Sequence, residues 1–151
     1  MSGLNEIKSL SEELARSMKK YSEQINRIEL NTDNLSSLER SEYNRIRALS
    51  EDAEYMSRKL DKLQQPRKQG KLVLRDDGRF ALQDFVDDYY FTCGCYMELL
   101  RGNEPEEQYW LFGSVEYNHH PTEKLAEGYY FKNGVTNINL KEDMLAATRE
   151  G

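Results

Sequence analysis

At 151 residues the chain has room for one ordinary domain, or for a helical module joined to a small β domain. Charged residues make up 32% and hydrophobic ones 38%, and no apolar run approaches the roughly 20 residues that a membrane-crossing helix needs. The formal charge is −6, and it is unevenly placed: residues 1–70 carry 13 Lys+Arg against 12 Asp+Glu, whereas residues 71–151 carry 8 against 15.

The opening residues Met1-Ser2-Gly3-Leu4-Asn5-Glu6 have no basic segment followed by an apolar one, so no signal peptide is expected and the expected location is cytoplasmic. Leu4, Ile7, Ser11, Leu14, Met18, Tyr21, Ile25 and Ile28 then alternate spacings of three and four. That is a heptad seam on an amphipathic helix. It runs into Asn31-Thr32-Asp33-Asn34, whose short polar side chains favour turns and caps. Ser36, with Glu39 three residues on, fits a capping box for a second helix, which carries a seam of its own at Ile46, Leu49, Ala53, Met56, Leu60 and Leu63. Pro66 should end that helix at Gln65. Two helices of similar length joined by a short turn fold back antiparallel, in coiled-coil fashion. A lone pair buries only one stripe per helix, so the seams call for a third surface, either the rest of the chain or a second copy as homodimer partner. Basic residues in this half are interleaved with nearly equal acid, the pattern of a solvated helix face.

After residue 70 the chain changes character, holding 13 of its 16 aromatic residues there. The boundary falls at Pro66, giving a helical hairpin over 1–66 and an acidic, aromatic-rich antiparallel β domain over 67–151. Lys71–Arg75 and Arg79–Gln83 are β-type runs around Asp76-Asp77-Gly78, a hairpin signal of the kind that takes positive φ at both central positions. Tyr96–Leu100, Tyr109–Phe112, Ser114–Tyr117, Tyr129–Lys132 and Met144–Thr148 read as further strands, separated by turn clusters at 102–105, 118–121 and Asn133-Gly134. The fold class is therefore α+β, with an SH3-like barrel of about five strands or a curled sheet after the hairpin. The aromatics should form most of its core.

Gly78-Arg79-Phe80-Ala81-Leu82, Thr92-Cys93-Gly94 ahead of Met97-Glu98-Leu99-Leu100, Gly113-Ser114-Val115-Glu116-Tyr117 and Gly128-Tyr129-Tyr130-Phe131 resemble a family of uncharacterised small domains. That family occurs in Gram-positive bacteria, their phages and mobile elements, often behind an N-terminal helical segment. The resemblance covers residues 71–149 and implies habitat and style of fold, with no activity to carry over. A mobile-element habitat implies a place among proteins that disarm a host defence, small acidic anti-CRISPR inhibitors included.

Cys93, Cys95, His119 and His120 are the chain's only thiols and imidazoles. Two thiolates and two imidazoles make the ligand set of a structural zinc site. The one-residue gap between the cysteines is off the usual spacing, and the same residues also read as a packed turn and an exposed loop pair. A Cys-His nucleophile lacks any supporting context, Asp76, Asp77, Asp84, Asp87 and Asp88 lack the ligand spacing of a calcium loop, and no phosphate-cradling glycine loop is present. No enzyme is expected.

There remains the acidic surface. Asp84, Asp87, Asp88, Tyr89, Tyr90, Glu106 and Glu107 are the candidate partner-binding residues: carboxylates would steer a basic partner and tyrosines would anchor it. The same acid also serves plain solubility. Direct nucleic-acid binding is disfavoured by the excess of acid over base in this half, and no membrane contact is expected. Two readings follow. One is a non-enzymatic binding protein of phage or mobile-element origin that inhibits a host protein, most sharply a type II CRISPR nuclease whose DNA loading it blocks. The other is a structural or regulatory protein that oligomerises through the hairpin, with no inhibitory role.

Overall fold

The computed structural model describes residues 2–150. The chain divides into two compact units, one ending at Gln65 and the next beginning at Pro66.

The first unit is two helices of equal length, α1 (Ser2–Arg27) and α2 (Ser37–Lys62). In the turn between them the Asn31 Oδ1 accepts from the Asp33 N–H at 3.0 Å, opening a single 3-10 turn at Thr32–Asn34. The capping box at the start of α2 forms as its residues dictate. Ser36 Oγ accepts from the Glu39 N–H at 3.2 Å and Glu39 Oε1 accepts from the Ser36 N–H at 3.0 Å. Helix α2 gives way at Lys62, three residues short of Gln65, and closes in tight turns from Gln64 N–H to Asp61 O and from Gln65 N–H to Lys62 O.

The two helices meet along a line that the heptad seams do not predict. The residues buried between them are Ala15 and Ser22 on α1, and Ser50 and Ser57 on α2. The Ser57 hydroxyl donates to the Ala15 carbonyl at 2.9 Å, a direct side-chain bond across the pair. Small side chains let the backbones approach closely enough for such a bond. The expected inner seams are therefore displaced in part: Ser11, Met18, Ile25, Ala53 and Leu60 are partly buried, while the other members of both seams turn outward. Leu14 is 49% exposed and Leu49 is 45% exposed, whereas Ala15, next to Leu14, is 1% exposed.

The second unit is a seven-stranded, wholly antiparallel sheet in the order β2-β1-β7-β3-β4-β5-β6. Its strands are β1 (Lys68–Leu74), β2 (Phe80–Leu82), β3 (Tyr96–Arg101), β4 (Tyr109–Asn118), β5 (Gly128–Asn133), β6 (Thr136–Asn139) and β7 (Leu145–Thr148). The last strand returns to lie between β1 and β3. The sheet stays open, ending in β2 and β6, so the barrel of about five strands gives way to the curled-sheet alternative. Closure needs the two end strands to pair. Here they are three and four residues long, short edges of the kind that natural sheets leave at their rims. The seven β-type runs of the sequence do not map one to one onto the seven strands: Tyr109–Phe112 and Ser114–Tyr117 form one strand through Gly113, and β6, too polar to read as a strand, makes up the number.

Two turns illustrate the local chemistry. At Asp76-Asp77-Gly78 only the glycine takes positive φ (83°), and Arg75 N–H bonds to Arg79 O at 2.8 Å. The loop is thus a three-residue turn with a left-handed glycine, not the expected turn with two positive φ values. Between β5 and β6, Asn133 pairs with Thr136 and Gly134 takes φ 54°, a two-residue connection with glycine in its first place.

The core gathers Leu72, Phe80, Leu82, Phe91, Met97, Leu99, Val115, Phe131, Leu140 and Ala146. Met97 and Leu99 alternate on β3 and Leu72 and Leu82 face each other across the β1–β2 pair, as one buried face of a sheet requires. The fully buried aromatics are phenylalanines, and the tyrosines sit at the margins, where their hydroxyls reach partners or water. Tyr109 and Phe112 remain largely exposed on β4.

Candidate functional site

In each helix the large apolar side chain precedes the small one by a single position: Leu14 before Ala15, Tyr21 before Ser22, Leu49 before Ser50, Met56 before Ser57. Antiparallel helices in contact are related by an approximate two-fold axis perpendicular to the plane of the pair. Equal offsets from the contact line therefore bring both stripes out on the same side of the hairpin. Ile7 is 62% exposed and Leu10 is 65% exposed on α1, and Ile46 and Met56 on α2, with Leu63 at its C-terminal cap, are 43–48% exposed. Eight such side chains on one face make an apolar patch of the kind that marks an interaction site, since a monomer ordinarily leaves no more than a few hundred Å² contiguous. Apart from the Tyr21 hydroxyl these side chains are apolar, and the face they form suits contact with another apolar surface.

The sheet domain holds a second arrangement, built around Glu98. Its neighbours Met97 and Leu99 point into the core, so its own side chain points to the opposite face of β3, yet it is only 1% exposed. Arg67 Nε donates to its Oε1 at 2.7 Å and Arg149 Nε donates to its Oε2 at 2.6 Å. The Tyr96 hydroxyl donates to Oε2 as well. Arg67 in turn stacks over the Trp110 ring at 4.3 Å. Burial alone would push the Glu98 carboxyl up, but the bonds from Arg149, Tyr96 and Arg67 outweigh it and hold the group below its ordinary range. The Tyr96 phenol is pushed well above its ordinary value, by burial first and then by the carboxylate it serves. Both oxygens of this carboxylate accept hydrogen bonds, Oε1 from one donor and Oε2 from two. The cluster ties the start of β1, the middle of β3 and the residue after β7 together, and is a fixed structural tie with no open coordination position.

The sequence-predicted site residues are placed as follows. Cys93 is exposed with its thiol donating to Glu116 Oε2 at 3.2 Å, and Cys95 is taken up by Thr92, whose N–H meets its sulfur at 3.3 Å. Gly94 between them takes φ 89°, making the segment a tight turn. The His119 ring lies against Tyr117 at 4.5 Å, and the His120 N–H bonds to Asn118 Oδ1 at 3.1 Å. Among the described residues no three His, Cys, Asp or Glu side chains converge as a group able to hold a metal ion.

Asp84, Asp87 and Asp88 are exposed on the connection from β2 to β3. Glu106 and Glu107 are exposed on the one-turn helix Pro105–Glu107 that follows β3. The six residues of β3, about 20 Å of extended chain, lie between the two groups in sequence. The tyrosines among them are engaged within the domain. Tyr89 packs edge-on against Phe91 with centroids 5.4 Å apart, and its hydroxyl donates to Glu150 Oε2 at 3.0 Å. Burial, ahead of its polar neighbours, pushes that phenol well above its ordinary value. Tyr90 carries Arg75 over its ring at 4.1 Å and Arg79 at 5.2 Å.

Sequence reasoning missed both the Glu98 cluster and the small-residue line. A signal for the line exists: Ala15 and Ser22, like Ser50 and Ser57, are seven apart, the same period as the seams. For Glu98 the only hint is an acid sitting between apolar residues in a strand.

A family model for a domain of unknown function, DUF5348, matches residues 70–148. The chain belongs to this family. The match spans the sheet domain from the middle of β1 to the end of β7 and leaves the hairpin outside it. No curated protein and no solved structure matches the chain. Among the described residues, no helix is long and apolar enough to cross a membrane.

Proposed function

We propose that this DUF5348 protein is a non-enzymatic binding protein whose helical hairpin is its contact surface. The observation that carries the reading is the outward placement of many large apolar residues: the fully buried side chains of the hairpin are alanine and serine, Met18, Ile25 and Leu60 are only partly buried, and Ile7, Leu10, Leu14, Ile46, Leu49 and Met56 face out. A hairpin that needed only to cohere would put the large side chains inside, where each would contribute about 1.5–3 kcal/mol. The arrangement is half of a helical bundle, with the other half to be supplied by a partner.

The test is site-specific photo-crosslinking of the full chain in the cells it comes from. A photoreactive phenylalanine analogue at Leu14 or Leu49, on the open face, should give a discrete adduct. The same analogue at Arg16 or Glu23, on other faces of α1, should give none. Adducts from neither face, or equally from both, contradict the reading.

A second reading is favoured by the charge split, since Asp84, Asp87, Asp88, Glu106 and Glu107 are all left exposed on the sheet domain. In it the protein, of phage or mobile-element origin, turns these carboxylates on the basic surface of a host protein, most sharply a type II CRISPR nuclease before DNA occupies its channel. Added before target DNA, the protein should then inhibit cleavage, and added afterwards it should inhibit much less. Equal inhibition in either order, or none, contradicts this reading and leaves the hairpin-based one untouched.

A further inference from the structure

We infer that the partner of the hairpin's open face is a second copy of the same chain, packed antiparallel about a two-fold axis so that α1 lies against α1 of its partner. The inference rests on the contact-surface reading above and names the occupant. Its first support is area. The open face carries eight large apolar side chains left 41–65% exposed, and a stable interface of standard size draws about 800 Å² from each partner.

The second support is charge. The residues immediately preceding Ile7, Leu14, Tyr21 and Ile28 are Glu6, Glu13, Lys20 and Arg27, four exposed side chains at a constant spacing of seven. They form one line along the rim of the apolar stripe, acidic through the first half of the helix and basic through the second. A helix with this line is complementary to itself when reversed. Antiparallel packing that pairs Glu13 with Lys20 of the second copy also pairs Glu6 with Arg27 of the second copy. The exposed stripe Ile7, Leu14, Tyr21 and Ile28 is centred one residue from the centre of the charge line, so the same register brings Leu14 near Tyr21 and Ile7 near Ile28 of the second copy. Parallel packing would align acid with acid. Isologous contact of this kind uses one patch on both chains and closes at two, so the product is a dimer and not a filament.

The test is sedimentation velocity of three forms of the full chain: the unaltered protein, E13K, and E13K combined with K20E. All four rim residues are exposed, so circular dichroism should match among the three. The unaltered chain should sediment as a dimer. E13K sets like charges opposite each other twice in each dimer and should weaken association about tenfold. The double reversal restores both pairs and should recover the dimer.

An unaltered chain that remains monomeric throughout, or a double variant no stronger than the single one, overturns the inference. So does a Leu14 crosslink to a different protein, or to residues 66–150 of the same chain. A crosslink to a different protein would leave the contact-surface reading standing, whereas no crosslink from the open face would remove both.

Discussion

Glu98 is the residue on which the sheet domain most depends. It is surrounded by two arginines and a phenol, each of which donates to its carboxylate. Breaking such a buried pair from one side leaves the remaining charges poorly solvated, and with both arginines partly exposed the expected cost of Glu98→Gln is about 2–3 kcal/mol near neutral pH. The pH dependence has a definite sign. Because the folded carboxyl holds its proton less tightly than in the unfolded chain, its stabilisation is complete above the ordinary carboxylate range and is lost as pH falls through the lowered folded value. Denaturant melts of the two proteins should therefore differ most at neutral pH and converge in acid. A gap that stays constant down to strongly acidic pH would show that the carboxylate's charge is not what holds the cluster together.

At the scale of elements, the boundaries were legible in the sequence wherever a residue's own chemistry decides the backbone. Ser36 and Glu39 cap α2, Asn31 turns the chain between the helices, and Gly78 and Gly134 mark hairpins, because in each case the side chain or its absence acts within a few residues. What could not be read locally was which of two adjacent helical lines faces inward. Leu14 and Ala15 both recur at heptad spacing, and the usual preference for burying the larger side chain points to Leu14. The choice falls the other way because a close approach of the backbones needs small residues on both helices at once, a condition on Ala15, Ser22, Ser50 and Ser57 jointly. The barrel expectation failed for a similar reason: whether β2 and β6 meet depends on the whole sheet. The thiols and imidazoles were singled out by their chemistry alone, and the turn at Gly94 commits Cys95 to Thr92 and leaves Cys93 with Glu116. The Glu98 cluster was invisible because its members come from three separate places in the chain, Arg67, the Tyr96–Glu98 segment of β3, and Arg149.

At the scale of the whole molecule, the two units divide the physical work. The sheet domain buries a conventional core and ties its central carboxylate from both sides, so its stability should be its own. In the hairpin the fully buried side chains between the helices are small and many of the large ones lie outside, whereas helices in proteins draw most of their stability from packing an apolar face. The hairpin's stability should come from association, which makes it depend on concentration through mass action. Because the single tryptophan, Trp110, lies on β4, its fluorescence follows the sheet domain, while far-ultraviolet circular dichroism is dominated by the two helices. Thermal unfolding of the full chain, recorded by both signals over a wide range of protein concentration, tests the central claim most directly. The helical transition should move to higher temperature as concentration rises, while the tryptophan transition stays where it is. A helical transition that does not move with concentration would mean that the hairpin is stable by itself and that its apolar face has no second copy to meet.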